Sequence, residues 1–254
     1  MKTVIITLAL IMVTQLSAQL KTVDYSDGTQ KLTGFSIAPA KKSAQSMGIL
    51  ILPAWMGIDD HSKEVAQKLA TEGHYAFVAD IYGADKKPAD TKKAGELSGY
   101  YKSNYEEYQR RIKLALDKLV KSGANKDKIV VIGYCFGGTG ALEATRGGLP
   151  VQAVVSFHGG LGKDEKRGNG AIKPKVLILH GADDPYVPQK DIEAFQKEMR
   201  DAKADWQMVY YANAVHAFTE KKAGNDNSKG AAYNEKADKR SWEHFMVLLD
   251  ELNK

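Results

Sequence analysis

Ile129-Val130-Val131-Ile132-Gly133-Tyr134-Cys135-Phe136-Gly137-Gly138 decides how the rest of the chain is read. Its first four residues, entered from Lys128, form an apolar β-type run, and the small-residue stretch from Thr139 to Thr145 that follows has helical character. Strand, glycine-flanked turn and helix are the setting of a nucleophile elbow, here G-x-C-x-G in place of G-x-S-x-G. The central residue of such a turn is strained. Small residues two positions to either side let strand and helix approach. The turn lifts the central side chain above the sheet and points a helix N-terminus at it, so backbone N–H groups face any negative charge that forms there. The competing reading is an ordinary strand–helix turn with a buried cysteine, because free Cys often packs in cores. A phosphate loop is a poor rival, since no Gly-Lys-Ser/Thr follows and the spacing is not G-x-G-x-x-G.

Outward from this stretch, composition sets the bounds. A chain of 254 residues with 43% hydrophobic content has material for one sizeable core. Lys2, the apolar run Val4 to Val13 and the segment Thr14-Gln15-Leu16-Ser17-Ala18 read as a secretory signal over residues 1–18, cleaved after Ala18. Leu16 is not the small residue usual two positions before the cut. The apolar run is too short for a membrane span, which needs about 20 residues. The mature chain, 19–254, is expected to be a single exported domain, periplasmic or secreted, with no membrane span. Loss of Lys2, the only charged residue of the leader, lowers the net charge from +5 to +4. The basic residues are interleaved with acids, as in Lys163-Asp164-Glu165-Lys166-Arg167, which reads as a solvated face and gives no nucleic-acid stripe. A lone cysteine in an exported chain cannot form an internal disulfide, which favours a reactive thiol.

The mature chain alternates β and α signals without a break in composition. Strands are expected at Leu32–Ala38, Gly48–Leu52 (ended by Pro53), Tyr75–Ala79, Val151–Phe157, Lys175–Leu179 and Trp206–Tyr211. Helices are expected around Val65–Leu69, with Gly73 as stop, and over Tyr105–Val120, Lys190–Ala202 and Glu235–Leu252. Uninterrupted apolar strands separated by helices mean an α/β fold, a mostly parallel central sheet with helices on both faces. Functional residues then belong at the carboxyl ends of the strands. Ala223 to Ala232, rich in Gly, Asn and Ser, reads as a mobile surface loop.

Two other strand ends supply partners for Cys135. After Val176–Leu179 comes His180-Gly181-Ala182-Asp183-Asp184-Pro185-Tyr186-Val187-Pro188, and after Val209–Tyr211 comes Ala212-Asn213-Ala214-Val215-His216-Ala217-Phe218. Nucleophile, acid and base therefore follow in the chain order of the α/β-hydrolase triad. A thiol with a pKa near 8.5 is little ionised at neutral pH, so an imidazole that takes or shares its proton activates it. A carboxylate then fixes the imidazole tautomer. Taken singly, Asp183 and Asp184 could be turn formers before Pro185, and any of the six histidines could be structural.

These pieces resemble the dienelactone hydrolase family of α/β-hydrolases over essentially the whole mature length. The resemblance is carried by Gly133-Tyr134-Cys135-Phe136-Gly137-Gly138, Asp80-Ile81-Tyr82-Gly83, Asp184-Pro185-Tyr186-Val187-Pro188 and Ala214-Val215-His216-Ala217-Phe218. It implies an ester or lactone hydrolase that works through a cysteinyl acyl intermediate and takes a small-molecule substrate. The nucleophile would be Cys135, the acid Asp184 rather than Asp183, and the base His216. The oxyanion donors would be the backbone N–H groups of Phe136 and Trp55.

The chain departs from the family where the substrate is held. Ala54 stands where dienelactone-hydrolysing members are similar in carrying a glutamate that meets the resting thiol. Ala84 and Glu220 stand where substrate-carboxylate arginines would be, so an acidic lactone would lose its clamp and meet a like charge. Trp55, Met56, Tyr82, Phe136, Tyr186 and Phe218 flank strand ends and predict an aromatic pocket mouth that prefers neutral substrates. Of these, Tyr82, Tyr186 and Phe218 are taken as substrate-binding. His158, in Phe157-His158-Gly159-Gly160, is read as lining the pocket, or else as a packed loop residue. Asp59, Asp60 and His61 are read as capping a helix rather than binding metal, because no spaced second cluster completes a coordination shell, and no cofactor is expected. The alternative function is a non-catalytic exported binding module on the same scaffold, since fold does not fix function.

Overall fold

The computed structural model describes residues 19–254, so the expected leader, residues 1–18, lies outside the described residues. The chain builds one eight-stranded sheet, in the order β1-β2-β4-β3-β5-β6-β7-β8. β1 (Lys21–Asp27) and β2 (Gln30–Ile37) form an antiparallel hairpin that the sequence reading did not anticipate in its first strand. Its two-residue loop starts at Gly28 with φ +58°, the left-handed backbone that matches strand twist in tight hairpins. β2 runs antiparallel to β4 (Tyr75–Val78). From there β3 (Gly48–Leu52), β5 (Ile129–Tyr134), β6 (Ala153–Phe157), β7 (Lys175–Gly181) and β8 (Trp206–Tyr211) continue in parallel.

The apolar strands are uninterrupted because both faces of the sheet are covered. Leu50, Leu52 and Val131 pack toward α3 (Tyr105–Lys121), α4 (Phe136–Arg146) and α5 (Gln189–Asp201). Ile49, Ile51, Val130 and Ile132 pack toward α1 (Asp60–Thr71) and α6 (Glu235–Leu252). Period-2 alternation thus feeds two cores at once. Asp59 caps α1: its carboxylate accepts the Ser62 N–H at 2.9 Å, and the Ser62 hydroxyl oxygen accepts the Asp59 N–H in return at 3.1 Å. One further helix, α2 (Thr91–Ser103), lies where the sequence reading expected no element, and Asp90 caps it through the Lys93 N–H at 2.7 Å. No helix of the described residues is long and apolar enough to cross a membrane.

Candidate active site

Cys135 sits between β5 and α4 with φ 53° and ψ −112°, a backbone that L-residues seldom adopt. The two glycines around it are required by contact. A Cβ on Gly133 would lie 1.9 Å from the Gly137 carbonyl oxygen, and one on Gly137 would lie 2.0 Å from the Leu52 carbonyl oxygen. Any side chain there would push strand from helix. The Cys135 carbonyl accepts the Gly138 N–H at 3.0 Å and the Thr139 N–H at 3.2 Å, which locks the turn to the start of α4. The Phe136 N–H faces the sulfur and helps hold its charge.

His216 Nε2 lies 3.0 Å from Cys135 Sγ, and His216 Nδ1 lies 2.8 Å from Asp184 Oδ2. The second oxygen of Asp184 accepts the Tyr186 N–H at 2.9 Å, so the carboxylate is fully engaged and buried. Asp183, its neighbour, is exposed. The His216 backbone is held by the segment expected to be mobile: its N–H donates to Gly230 at 3.2 Å, and its carbonyl accepts the Ala232 N–H at 3.0 Å. That segment carries two 3₁₀ turns, Lys221–Ala223 and Asn227–Lys229, and a bridge from Ala231 to His216.

Burial drives both members of this pair toward neutrality, and their partners overcome it. Burial pulls the His216 imidazolium down, yet the hydrogen bonds to Asp184 and Cys135 and their charges raise its pKa to about 10. Burial pushes the Cys135 thiol up, yet the bond and charge of His216, then Lys102 and the Phe136 N–H, bring it below its ordinary value. The arrangement can therefore hold a thiolate beside an imidazolium and pass one proton between the sulfur and a leaving group.

Against the start of α4, where a Cβ on Gly137 would meet the Leu52 and Pro53 carbonyls, runs the loop Pro53 to Gly57. The Gly57 N–H closes a turn onto the Ala54 carbonyl at 2.9 Å, and Gly57 has φ +76°. Closing that turn fixes the plane of the peptide whose other end is the Trp55 N–H. Trp55 is 37% and Tyr186 59% exposed, so two aromatic side chains stand at the mouth. Tyr82, Phe136 and Phe218 do not join them, because all three are buried.

Two expected pocket residues take other places. His158, with φ +41°, is fully buried; its Nε2 meets the Thr219 hydroxyl at 2.8 Å, and its ring meets His216 edge-on at 5.4 Å. Phe218, also fully buried, packs edge-on against His158 at 5.0 Å. His158 backs the His216 ring and Phe218 backs His158, and both are buried away from solvent. Burial pulls the His158 pKa well down, and the neighbouring His216 adds to the effect. Glu220 is corrected too. Its carboxyl faces His61 at 3.6 Å in a separate cavity of about 360 Å³ between α1 and α6, away from Cys135. Thr219 and Tyr108 are site neighbours that sequence reasoning missed; Tyr108 lay unremarked within the helix expected over Tyr105–Val120. Among the described residues no group of three or more His, Cys, Asp or Glu side chains is placed to hold a metal ion.

A strained cysteine turn at the end of β5, facing an Asp–His pair at the ends of β7 and β8, makes this an α/β-hydrolase-type enzyme. The chain belongs to the dienelactone hydrolase family, whose family model matches residues 32–252. With that membership comes the reaction class, hydrolysis of carboxylic esters or lactones. Among solved structures it is similar to P91, a dienelactone hydrolase-like promiscuous phosphotriesterase from metagenomic libraries, at 37% identity and TM-score 0.87, covering 93% of this chain and 99% of that one. A second structure, m3DLH, is 32% identical with TM-score 0.88 over 93% of this chain and 99% of the other. A Bradyrhizobium protein named as a probable 2-oxo-3-(5-oxofuran-2-ylidene)propanoate lactonase is 26% identical over 186 residues, 68% of this chain and 73% of that protein.

Proposed function

We propose that this protein is an exported thiol hydrolase of small, neutral esters or lactones, with Cys135 as nucleophile, His216 as acid–base group and Asp184 as its orienting carboxylate. The observation that carries this reading is the unbroken chain Sγ–Nε2, Nδ1–Oδ2 at 3.0 and 2.8 Å above a helix N-terminus. The thiolate attacks the carbonyl carbon, and the carbon–oxygen π pair moves onto oxygen, facing the N–H groups of Trp55 and Phe136. Collapse breaks the bond to the leaving alkoxide, which takes its proton from the His216 imidazolium and leaves a thioester. Water, deprotonated by the now neutral His216, attacks the thioester and returns the acid and the thiolate. Burst release of p-nitrophenol from p-nitrophenyl acetate, lost on thiol alkylation, is the expected result. Steady turnover that survives alkylation would overturn the cysteine mechanism, and absence of any turnover would favour a binding module.

Neutral phosphotriesters form a second substrate class to assay, because the 37% identical relative bears that activity in its name. Export follows from the leader reading of residues 1–18. Mature protein recovered from the envelope or medium should begin near Gln19, and an intact Met1 there would count against cleavage.

A further inference from the structure

The oxyanion side of the site is built around one aromatic ring. Phe136 is stacked by Tyr108 at 4.6 Å and 3° and by Tyr82 at 5.5 Å and 20°. Each tyrosine also donates its hydroxyl to a backbone carbonyl beside the site: Tyr108 to Phe136 at 3.0 Å, and Tyr82 to Trp55 at 2.9 Å. These are the two residues whose N–H groups face the reacting oxygen in the function proposed above. On that reading, we infer that Tyr82 and Tyr108 are positioning residues that hold the Trp55 and Phe136 N–H groups in one fixed geometry.

The Trp55 donor needs such a hold because it lies on a loop, whereas Phe136 begins a helix. Within the loop, the Gly57–Ala54 hydrogen bond fixes one end of the turn. Tyr82 fixes the other through the Trp55 carbonyl, and its ring lies under the turn, where a Cβ on Gly57 would come within 3.6 Å of it. Tyr82 is itself held from below. The Asp80 carboxylate accepts the Gly83 N–H and the Thr33 N–H, each at 2.9 Å, and Tyr101 packs on the Tyr82 ring at 5.8 Å. Tyr82 is 3% exposed and Tyr108 0%, with both hydroxyls engaged, so neither is free to bind substrate directly. Burial raises both hydroxyl pKa values far above working pH, and they remain donors throughout. An oxyanion hole acts through preorganisation, so a donor that drifts by a few tenths of an ångström loses much of its effect while substrate binding is unchanged.

The test uses Tyr82→Phe and Tyr108→Phe, which keep the rings and remove only the hydroxyls, with the exposed Tyr100→Phe as control. Tyr82→Phe is expected to lower kcat on p-nitrophenyl acetate about tenfold, less than the loss of a whole donor, and leave KM within about twofold. Affinity for a trifluoromethyl ketone, whose tetrahedral adduct carries the oxyanion, should weaken by the same factor as kcat/KM. Tyr108→Phe should cost about threefold, because α4 already holds Phe136. Unchanged kcat in Tyr82→Phe would overturn the inference. So would a raised KM with unchanged kcat and ketone affinity, which would instead make Tyr82 a substrate contact. Amide hydrogen exchange over Trp55–Gly57 reads the tether without turnover and should quicken at least about tenfold in Tyr82→Phe. Faster exchange in a protein whose wild type shows no burst would leave the tether standing and reject the hydrolase reading; unchanged exchange rejects the tether.

Discussion

Two largely buried histidine–carboxyl pairs, His216 with Asp184 and His61 with Glu220, behave in opposite ways. His216 and Asp184 meet at 2.8 Å, and the imidazole is raised to about 10. His61 and Glu220 stand 3.6 Å apart without a hydrogen bond; burial pulls His61 down, and burial with Asp59 and Asp238 pushes Glu220 up to about 8. The partners thus favour a charged His216, whereas burial favours a neutral His61 and a neutral Glu220. Burial is common to both, so the difference lies in the partners. His216 has a carboxylate on one nitrogen and a sulfur that carries charge on the other, whereas His61 faces a carboxyl already surrounded by acids. A buried ion pair survives only where geometry and hydrogen bonds repay desolvation.

Breaking the charged pair should cause the largest effects. Cys135→Ala is expected to lower kcat about a thousandfold or more with the circular dichroism unchanged, the scale of losing a triad member. Asp184→Asn should follow at about a thousandfold, because it leaves the wrong His216 tautomer beside the sulfur. Asp183→Asn, at an exposed carboxylate, should stay within about threefold. Steady-state kinetics on one ester would check all three, and equal small losses at both aspartates would break the assignment of Asp184. Glu220→Gln, in the second pair, should leave kcat within about threefold.

That contrast was only partly legible in the sequence. Cys135, Asp184 and His216 could be found because each sits at a strand end beside glycine or proline punctuation, and the apolar runs predicted seven of the eight strands. β1 was missed because Lys21, Asp24, Ser26 and Asp27 interrupt its apolar pattern, although Asp27-Gly28 was a usable hairpin signal. α2 was hidden by Gly95 and Gly99, which weaken helical propensity. The direction of a side chain was harder still. Glu220 and Phe218 follow His216 closely in sequence, yet the chain turns at Ala217, φ +57°, and both face away from the sulfur. Sequence spacing carries no information about that turn.

The neutral pair can be tested through stability. Glu220 has a folded-state pKa of about 8 against 4.5 unfolded, so the native state binds the extra proton between those values. Its contribution is fully present below 4.5 and is lost as pH rises through about 8, with a ceiling of roughly 5 kcal/mol set by the shift. Asp59 and Glu64 at the N-terminal end of α1 and Asp238 on α6 strengthen the shift, and Lys222 opposes it. Glu220→Gln should therefore match wild type in thermal midpoint near pH 4.5 and exceed it increasingly up to pH 9. A constant difference across that range would mean that Glu220 is ionised in the fold.

The smallest expected effect concerns substrate charge. The sequence placed Ala84 and Glu220 where a carboxylate clamp would be, and predicted repulsion of acidic substrates from Glu220. With Glu220 facing the cavity between α1 and α6, that repulsion disappears. What the fold brings instead is Lys102, near the end of α2, whose charge helps to stabilise the Cys135 thiolate. Its side chain is exposed, so solvent and salt screen it to a fraction of a buried clamp. A methyl ester should therefore beat its parent acidic lactone in kcat/KM by less than about tenfold, or 1.4 kcal/mol. Lys102→Gln should widen that preference about two- to threefold, and added salt should erase the change. An acid favoured by tenfold or more would require a desolvated cation at the site; an unaltered ratio in Lys102→Gln would mean that this lysine senses the thiolate and not the substrate.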